Sequence, residues 1–414
     1  MAKDAIPYIY ADNAATTPLS PLALEAMMPY LTCEFGNPSG IHRVAREAAL
    51  ALSEARRRTA ALLGAAHSDE IYFTSGGSES DNWILRGAVQ RFKDAHGADA
   101  VPRVITSAIE HHAILHCCAA LERDGAEITY LPVDDLGRIR AEDLEAALAA
   151  NEAVSGMNTG ATALVSIMLA NNEVGTIEPI SHLARIALAH GAPFHTDAVQ
   201  AVGHIPVSVA DLDVDALSLS AHKFHGPRGV GVLYLREGFS IPPLIAGGAQ
   251  ERGERAGTEN LAGIAGMVAA LEQQLALLNN ADNNPSQRIA SMRDELIAHI
   301  CTACDGVHPT GDPTRRLPSI ASFTCDGVDG ELLVVLLDRA GVAAATGSAC
   351  STGSTAPSHV LTAMGIDPLR AKGALRLSLA DDITREDLDL LKERVPAAIK
   401  RARLMSGITD ACER

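Results

Sequence analysis

The chain has 414 residues, 47% hydrophobic and 21% charged, with a formal net charge of −17. That usage belongs to a globular protein with a large core and excludes disorder. The acidic balance argues against a nucleic-acid or anionic-membrane partner, either of which calls for a basic stripe. Met1 to Ile6 carries Lys3 and Asp4 with no apolar run behind them, so no secretory signal is expected and the expected compartment is cytoplasmic. There the eight cysteines, Cys33, Cys117, Cys118, Cys301, Cys304, Cys325, Cys350 and Cys412, should be mostly free thiols.

In chain order, short apolar runs at 70–74, 103–107, 127–131, 163–169, 193–196, 216–219 and 230–235 read as strands. Helical patterns at 43–63, 78–92, 141–150 and 180–190 lie between several of them, and 96–102 and 151–160 read as surface loops. The alternation predicts an α/β fold with a mainly parallel sheet covered by helices, and places ligands at the carboxyl ends of the strands. After Thr258 the pattern changes to a long helical stretch at 259–278 and a polar break at 279–287. Helices at 289–301, 330–339 and 384–402 and strands at 319–324 and 374–379 then predict a smaller C-terminal α/β domain, with a boundary near 265. The longest apolar stretch, 261–271, is too short to span a bilayer.

Lys223 stands in Ser220-Ala221-His222-Lys223-Phe224-His225-Gly226-Pro227, just past one predicted strand, and Asp197 ends another in His195-Thr196-Asp197-Ala198-Val199-Gln200. An amine and a carboxylate at strand ends suit pyridoxal phosphate (PLP): the amine forms a Schiff base and the carboxylate keeps the pyridine nitrogen protonated. Taken alone, the pair can equally be a solvated lysine and a helix cap. Ser75-Gly76-Gly77-Ser78-Glu79-Ser80 joins a strand to a helix, where free amides and the Ser78 hydroxyl suit a phosphate monoester as well as a plain capped turn. Glu110-His111-His112 ends the next strand, where an imidazole can stack on a cofactor ring and exchange protons. Two adjacent histidines invite a metal, but no third ligand is near in sequence and none is expected.

Asn171-Asn172-Glu173-Val174-Gly175 offers an amide to a cofactor ring oxygen, or builds an Asn-Gly turn. Arg252-Gly253-Glu254-Arg255-Ala256-Gly257-Thr258 is a small-residue loop whose hydroxyl can meet a phosphate, including one in a neighbouring subunit. Cys350, inside Thr346-Gly347-Ser348-Ala349-Cys350-Ser351-Thr352-Gly353-Ser354, reads as a thiol on a mobile loop. Arg376 offers a planar fork to a substrate carboxylate, or a salt bridge within a strand. Cys301 and Cys304 imitate a redox or zinc pair without a second pair at metal-site spacing, and Cys117 and Cys118 read as small core residues.

Together with Tyr10-Ala11-Asp12-Asn13-Ala14-Ala15-Thr16-Thr17-Pro18 and Gly36-Asn37-Pro38-Ser39, these strings resemble the cysteine desulfurases of the NifS/IscS type (group I). Those belong to the class-V aminotransferase family of fold-type I PLP enzymes, and the likeness runs in order over nearly the whole chain. It implies a large PLP-binding domain over 16–265 with a mainly parallel seven-stranded sheet. A small domain from 1–15 and 266–414 would carry the catalytic cysteine loop at about 345–356. The resemblance also implies PLP held covalently by Lys223, Asp197 on the pyridine nitrogen, Gln200 and Asn172 near the ring hydroxyl, and His111 over the ring. Gly77, Ser78, Ser220, His222 and Thr258 of the partner subunit would hold the phosphate.

By the same resemblance Asn13, Asn172 and Arg376 would bind the substrate, and Lys223, Cys350 and His111 would be catalytic. L-Cysteine would become L-alanine, leaving a persulfide on Cys350 as a sulfur supply for iron–sulfur clusters or for thio-cofactor and tRNA synthesis. The implied partners are a second copy of the chain and a sulfur-acceptor protein, either an iron–sulfur scaffold or a sulfur carrier, without nucleic acid or membrane. A selenocysteine lyase shares the fold and cofactor and stays open, as does a non-desulfurase aminotransferase or PLP-binding scaffold. Ala380-Asp381-Asp382 departs from the Gly-Arg that many relatives carry, which leaves the sulfur acceptor open.

Overall fold

The computed structural model describes residues 7–156, 161–280, 284–347 and 357–405. Seven strands form one sheet in the order Ile71–Thr74, Gly231–Leu235, Ala216–Ser220, Phe194–Asp197, Leu164–Ser166, Arg103–Ser107 and Glu127–Leu131. Neighbours run parallel except at Gly231–Leu235, which is antiparallel to both of its partners. Every residue of the Arg103–Ser107, Phe194–Asp197 and Ala216–Ser220 strands is buried, as a sheet with both faces covered requires. The run expected at 163–169 forms a strand only over Leu164–Ser166. Ile167 and Leu169 nevertheless still donate to the His195 and Asp197 carbonyls, so the chain stays beside its neighbour up to the site.

A second sheet is antiparallel, in the order Ala374–Ser378, Ile320–Cys325, Val307–Pro309, and lies with the helices Pro285–Ala303, Gly330–Arg339 and Arg385–Met405. Leu296, Phe323, Leu337, Leu375 and Leu391 fill the core between them. The start of the chain belongs to this core: Ile9–Tyr10 pairs in parallel with Val342–Ala343, and Ile9 and Ala11 are buried in it. Residues 13–20 then cross to the large sheet, where the Thr17 and Ser20 amides donate to the carbonyls of His222 and His225.

Helix Leu261–Leu278 corrects one sequence-based expectation. It is continuous over 18 residues and, by length and composition, apolar enough to cross a membrane. Length therefore does not exclude a span, but 61% of the stretch is buried inside the fold. Leu261, Ile264, Met267, Val268 and Leu271 all enter the core of the large sheet. Helix Pro21–Thr32 was not apparent from the pattern because Pro29 interrupts it, though Ser20 caps it and Pro21 opens it. The stretch expected as a loop at 151–160 begins as helix, since Ala141–Ser155 runs on while the Asn151 amide donates to Thr162 Oγ1 at 2.9 Å.

Candidate active site

A cavity of about 310 Å³ opens at the carboxyl ends of the parallel strands. Asp197 is the last residue of its strand, and Lys223 closes the single helical turn Ala221–Lys223 after Ala216–Ser220. His111 caps helix His112–Arg123, and Gly77 and Ser78 open helix Gly77–His96. Gly77, Ser78, His111, Asn172, Asp197, Gln200, Ser220, His222, Lys223 and Arg376 all line this cavity. An adjoining hollow is lined by Ser75, Gly76, Gly77, Ser78, Ser220, His222 and Arg228.

Two candidate residues do not line this cavity, one of them, Thr258, being expected to act in the partner subunit's site. Thr258 lines a separate small cavity with Phe73, Glu251 and Arg255. Asn13 is buried beside the site, with its amide nitrogen donating to the Tyr10 and Ser378 carbonyls at 3.1 and 2.9 Å and its Oδ1 without a partner. The unpartnered atom is an acceptor, so a carboxylate would meet Asn13 only by displacing one of those carbonyls. Cys350 lies outside the described residues; Gly347, the last described residue before it, lines the cavity.

The Lys223 amine donates to the Ala14 and Ala15 carbonyls at 2.7 and 3.0 Å, so the N-terminal crossing segment holds it in place. Gln200 Nε2 donates to the Ala14 carbonyl at 2.8 Å. Burial pushes the Asp197 carboxyl up to about 6, against the pull of the Val199 amide at 2.9 Å and of the Lys223 charge. Beneath it His195 lies between Ser166 Oγ and Ser218 Oγ, each at 2.9 Å, and burial lowers it to about 3, so it is neutral.

Burial and the Lys223 charge lower His111 to about 4. Its Nδ1 accepts from the Ala113 amide at 3.2 Å, which puts the hydrogen of the neutral ring on Nε2. His222 is likewise lowered to about 4, by burial and then by the charges of Lys223 and Arg228. Arg376 is 2% exposed, donates to Asp12 and to the Asn172 carbonyl at 2.7 and 2.8 Å, and keeps a buried Nε without a partner. Asp381, from the departing tripeptide, accepts from His225 Nε2 at 3.2 Å and so faces the lysine loop.

Asp81, Glu173, His359 and Arg228 were given no role by the sequence reading. Asp81, Glu173 and His359 line the main cavity, and Arg228 lines its neighbour. Asp81 had a readable signal, a carboxylate on the apolar face of a helix beside Ile84, Leu85 and Ala88. Among the described residues no three His, Cys, Asp or Glu side chains converge as a metal-binding group.

A family model described as aminotransferase class-V matches residues 9–391. The cysteine desulfurase IscS of Methanosarcina thermophila is 45% identical over 403 residues, covering 97% of this chain and 94% of that protein. A solved NifS-like protein superposes with a TM-score of 0.84 at 36% identity, covering 94% of this chain and 98% of that one. SspA in complex with cysteine superposes with a TM-score of 0.74 at 33% identity, covering 90% and 98%. With its strand-end lysine and aspartate in one cavity, this chain belongs to the class-V aminotransferase family and, within it, to the cysteine desulfurases of the NifS/IscS type.

Proposed function

We propose that the protein is a PLP-dependent cysteine desulfurase that converts L-cysteine to L-alanine and keeps the sulfur as a persulfide on Cys350. The observation that carries this reading is the cavity shared by Lys223, Asp197 and the start of helix Gly77–His96. These residues fit PLP. A primary amine and a buried carboxyl line the cavity, and the helix start meets it at Gly77, where a Cβ would come within 2.6 Å of Val199 Cγ2. Gly77, Ser78, Ser220 and His222 would hold the phosphate, with Arg228 adding charge. Asp197 would pair with the ring nitrogen, Asn172 and Gln200 would approach the ring hydroxyl, and His111 would cover the ring.

When bound, PLP supplies an electron sink for the carbanion formed at the substrate α-carbon. Lys223 would hold the cofactor through its amine, and that amine would carry the substrate α-proton. Arg376 meets the substrate carboxylate through its unpartnered Nε. His111, neutral with its hydrogen on Nε2, serves the proton exchange at the substrate sulfur. The Cys350 thiolate attacks that sulfur, the carbon–sulfur bond breaks, and the bonding pair stays with carbon, which then takes up a proton. L-Cysteine plus a thiol gives L-alanine plus a persulfide, so no outside oxidant is needed.

A homodimer is part of the proposal, with Thr258 of the partner subunit completing the phosphate contacts. Its support is an apolar surface on the N-terminal helices and the segment joining them, where Leu22, Met28, Leu31, Phe35, Ile41 and Leu50 are exposed. The division into bodies over 16–265 and over 1–15 with 266–414 belongs to the same proposal; two separate apolar cores support two bodies, but Met267, Val268 and Leu271 pack in the large one, so the boundary falls after helix Leu261–Leu278 and not at 265. An iron–sulfur scaffold or sulfur carrier is the proposed acceptor. The test is to incubate the purified protein with L-cysteine and a reductant and to measure sulfide and alanine. Equimolar products are expected, and sulfide accompanied by pyruvate instead of alanine would overturn the reading.

A further inference from the structure

Gly347 and Ser358 flank residues 348–357, which include Cys350, and both lie against one side chain, Glu173. The Ser358 hydroxyl donates to Glu173 Oε2 and also accepts from the Leu361 amide at 3.2 Å, so its position is fixed from two sides. At Gly347 an added Cβ would lie 2.5 Å from the same Glu173 oxygen, so a larger residue there would have to push the Glu173 carboxyl aside. Glu173 is 3% exposed, and its own backbone is held by a hydrogen bond from its amide to Asn171 Oδ1 at 2.8 Å. The next carbonyl back, that of Asn172, accepts from Arg376. Glu173 thus stands on a turn tied to the cavity wall while its carboxyl reaches both ends of the Cys350 segment.

We infer that Glu173 is a positioning residue for sulfur transfer, because its carboxyl accepts a hydrogen bond from Ser358 and packs against Gly347, the described residues on either side of Cys350. The inference rests on the desulfurase reading. A thiol must reach the substrate sulfur in line, and a misplacement of about 1 Å costs a reaction about 100-fold. Burial pushes the Glu173 carboxyl above its ordinary value, while the Ser358 hydrogen bond and the Arg376 charge act the other way. A glutamine side chain has the same shape and its amide oxygen can accept from the Ser358 hydroxyl in place of the carboxylate.

The test uses the PLP-loaded enzyme and two reactions. Release of pyruvate from 3-chloro-L-alanine uses the cofactor site but needs no thiol, since chloride leaves unaided. Persulfide formation on Cys350 from L-cysteine, followed by mass spectrometry in a single turnover, needs the thiol. Glu173→Ala should slow persulfide formation by about 100-fold while leaving chloride elimination within about twofold of the wild type. Glu173→Gln should restore persulfide formation, and Gly347→Ala, which crowds the same oxygen, should reproduce the loss. Wild-type persulfide formation in Glu173→Ala overturns the inference, and so does an equal loss in both reactions. If the wild type itself eliminates chloride but forms no persulfide, the desulfurase reading falls as well.

Discussion

Lys223 and Gln200 donate to one acceptor, the Ala14 carbonyl, at 2.7 and 2.8 Å. The segment that crosses between the two cores therefore positions the reactive amine and a side chain proposed for the cofactor ring. Among the residues lining the cavity, Lys223 supplies the sole primary amine. Lys223→Ala should lose covalent attachment of PLP, seen as loss of the cofactor's visible absorbance and of any PLP-modified protein mass after borohydride reduction. Cofactor reduced onto another lysine would contradict the assignment.

Asp197 should behave differently with and without cofactor. Its folded value is raised to about 6 by burial. The stability linked to it is therefore present at pH below its ordinary 3.8 and is lost as pH rises through about 6. Cofactor-free Asp197→Asn should melt higher than the cofactor-free wild type at pH 8, and the difference should shrink at pH 5, while PLP affinity falls. Equal melting temperatures at pH 8 would show that no charge is buried there.

Arg56 and Glu251 form a buried two-bond ion pair at 2.6 and 2.7 Å, and Glu251 also accepts from the Phe73 amide. Glu251 and Arg252 both adopt left-handed backbone, with φ of 44° and 62°, an unfavourable choice for residues other than glycine. The ion pair holds this turn in the loop that leads to Thr258. Glu251→Ala leaves Arg56 buried and unpaired, so urea unfolding should show a loss of about 3–5 kcal/mol. A loss under about 1 kcal/mol would show that the pair adds little beyond what solvent supplies.

His225 and Asp381 give the fold a pH window. Burial lowers His225, but its hydrogen bond to Asp381 and that residue's charge outweigh the effect and leave it raised above 6.5. Its contribution is full below 6.5 and is lost as pH rises through the raised value. Asp381, raised by burial but lowered more by His225 and other contacts, ends below 3.8, so its contribution is lost as pH falls through that lower value. The pair should stabilise most between pH 3.8 and 6.5. The melting-temperature difference between wild type and Asp381→Asn should peak there, and a pH-independent difference would refute the pairing.

What was legible in the sequence followed from local pattern. Arg103–Ser107 and Glu127–Leu131 are strands, and Arg43–Leu63 and Gly330–Arg339 are helices, over the expected residues, because their apolar spacing is regular. Lys223, Asp197 and His111 could be singled out because strand ends carry the chemistry of such sheets. Glu173 could not, since Asn-Asn-Glu reads locally as a turn and its partner Ser358 arrives from 185 residues away. The place of helix Leu261–Leu278 was also hidden, because length and composition alone do not separate a core helix from a membrane span.

The central claim concerns Cys350. Burial pushes the Cys117 thiol up to about 11 and the Cys325 thiol up to about 12, so neither is a thiolate at neutral pH. The most direct measurement is mass spectrometry of the PLP-loaded protein after one turnover with L-cysteine, with alanine quantified, for wild type and Cys350→Ser. The account predicts a single added sulfur on Cys350 in the wild type, and in Cys350→Ser intact cofactor binding without alanine release. Alanine formed by Cys350→Ser at the wild-type rate, or a persulfide found on Cys117 or Cys325, would contradict it.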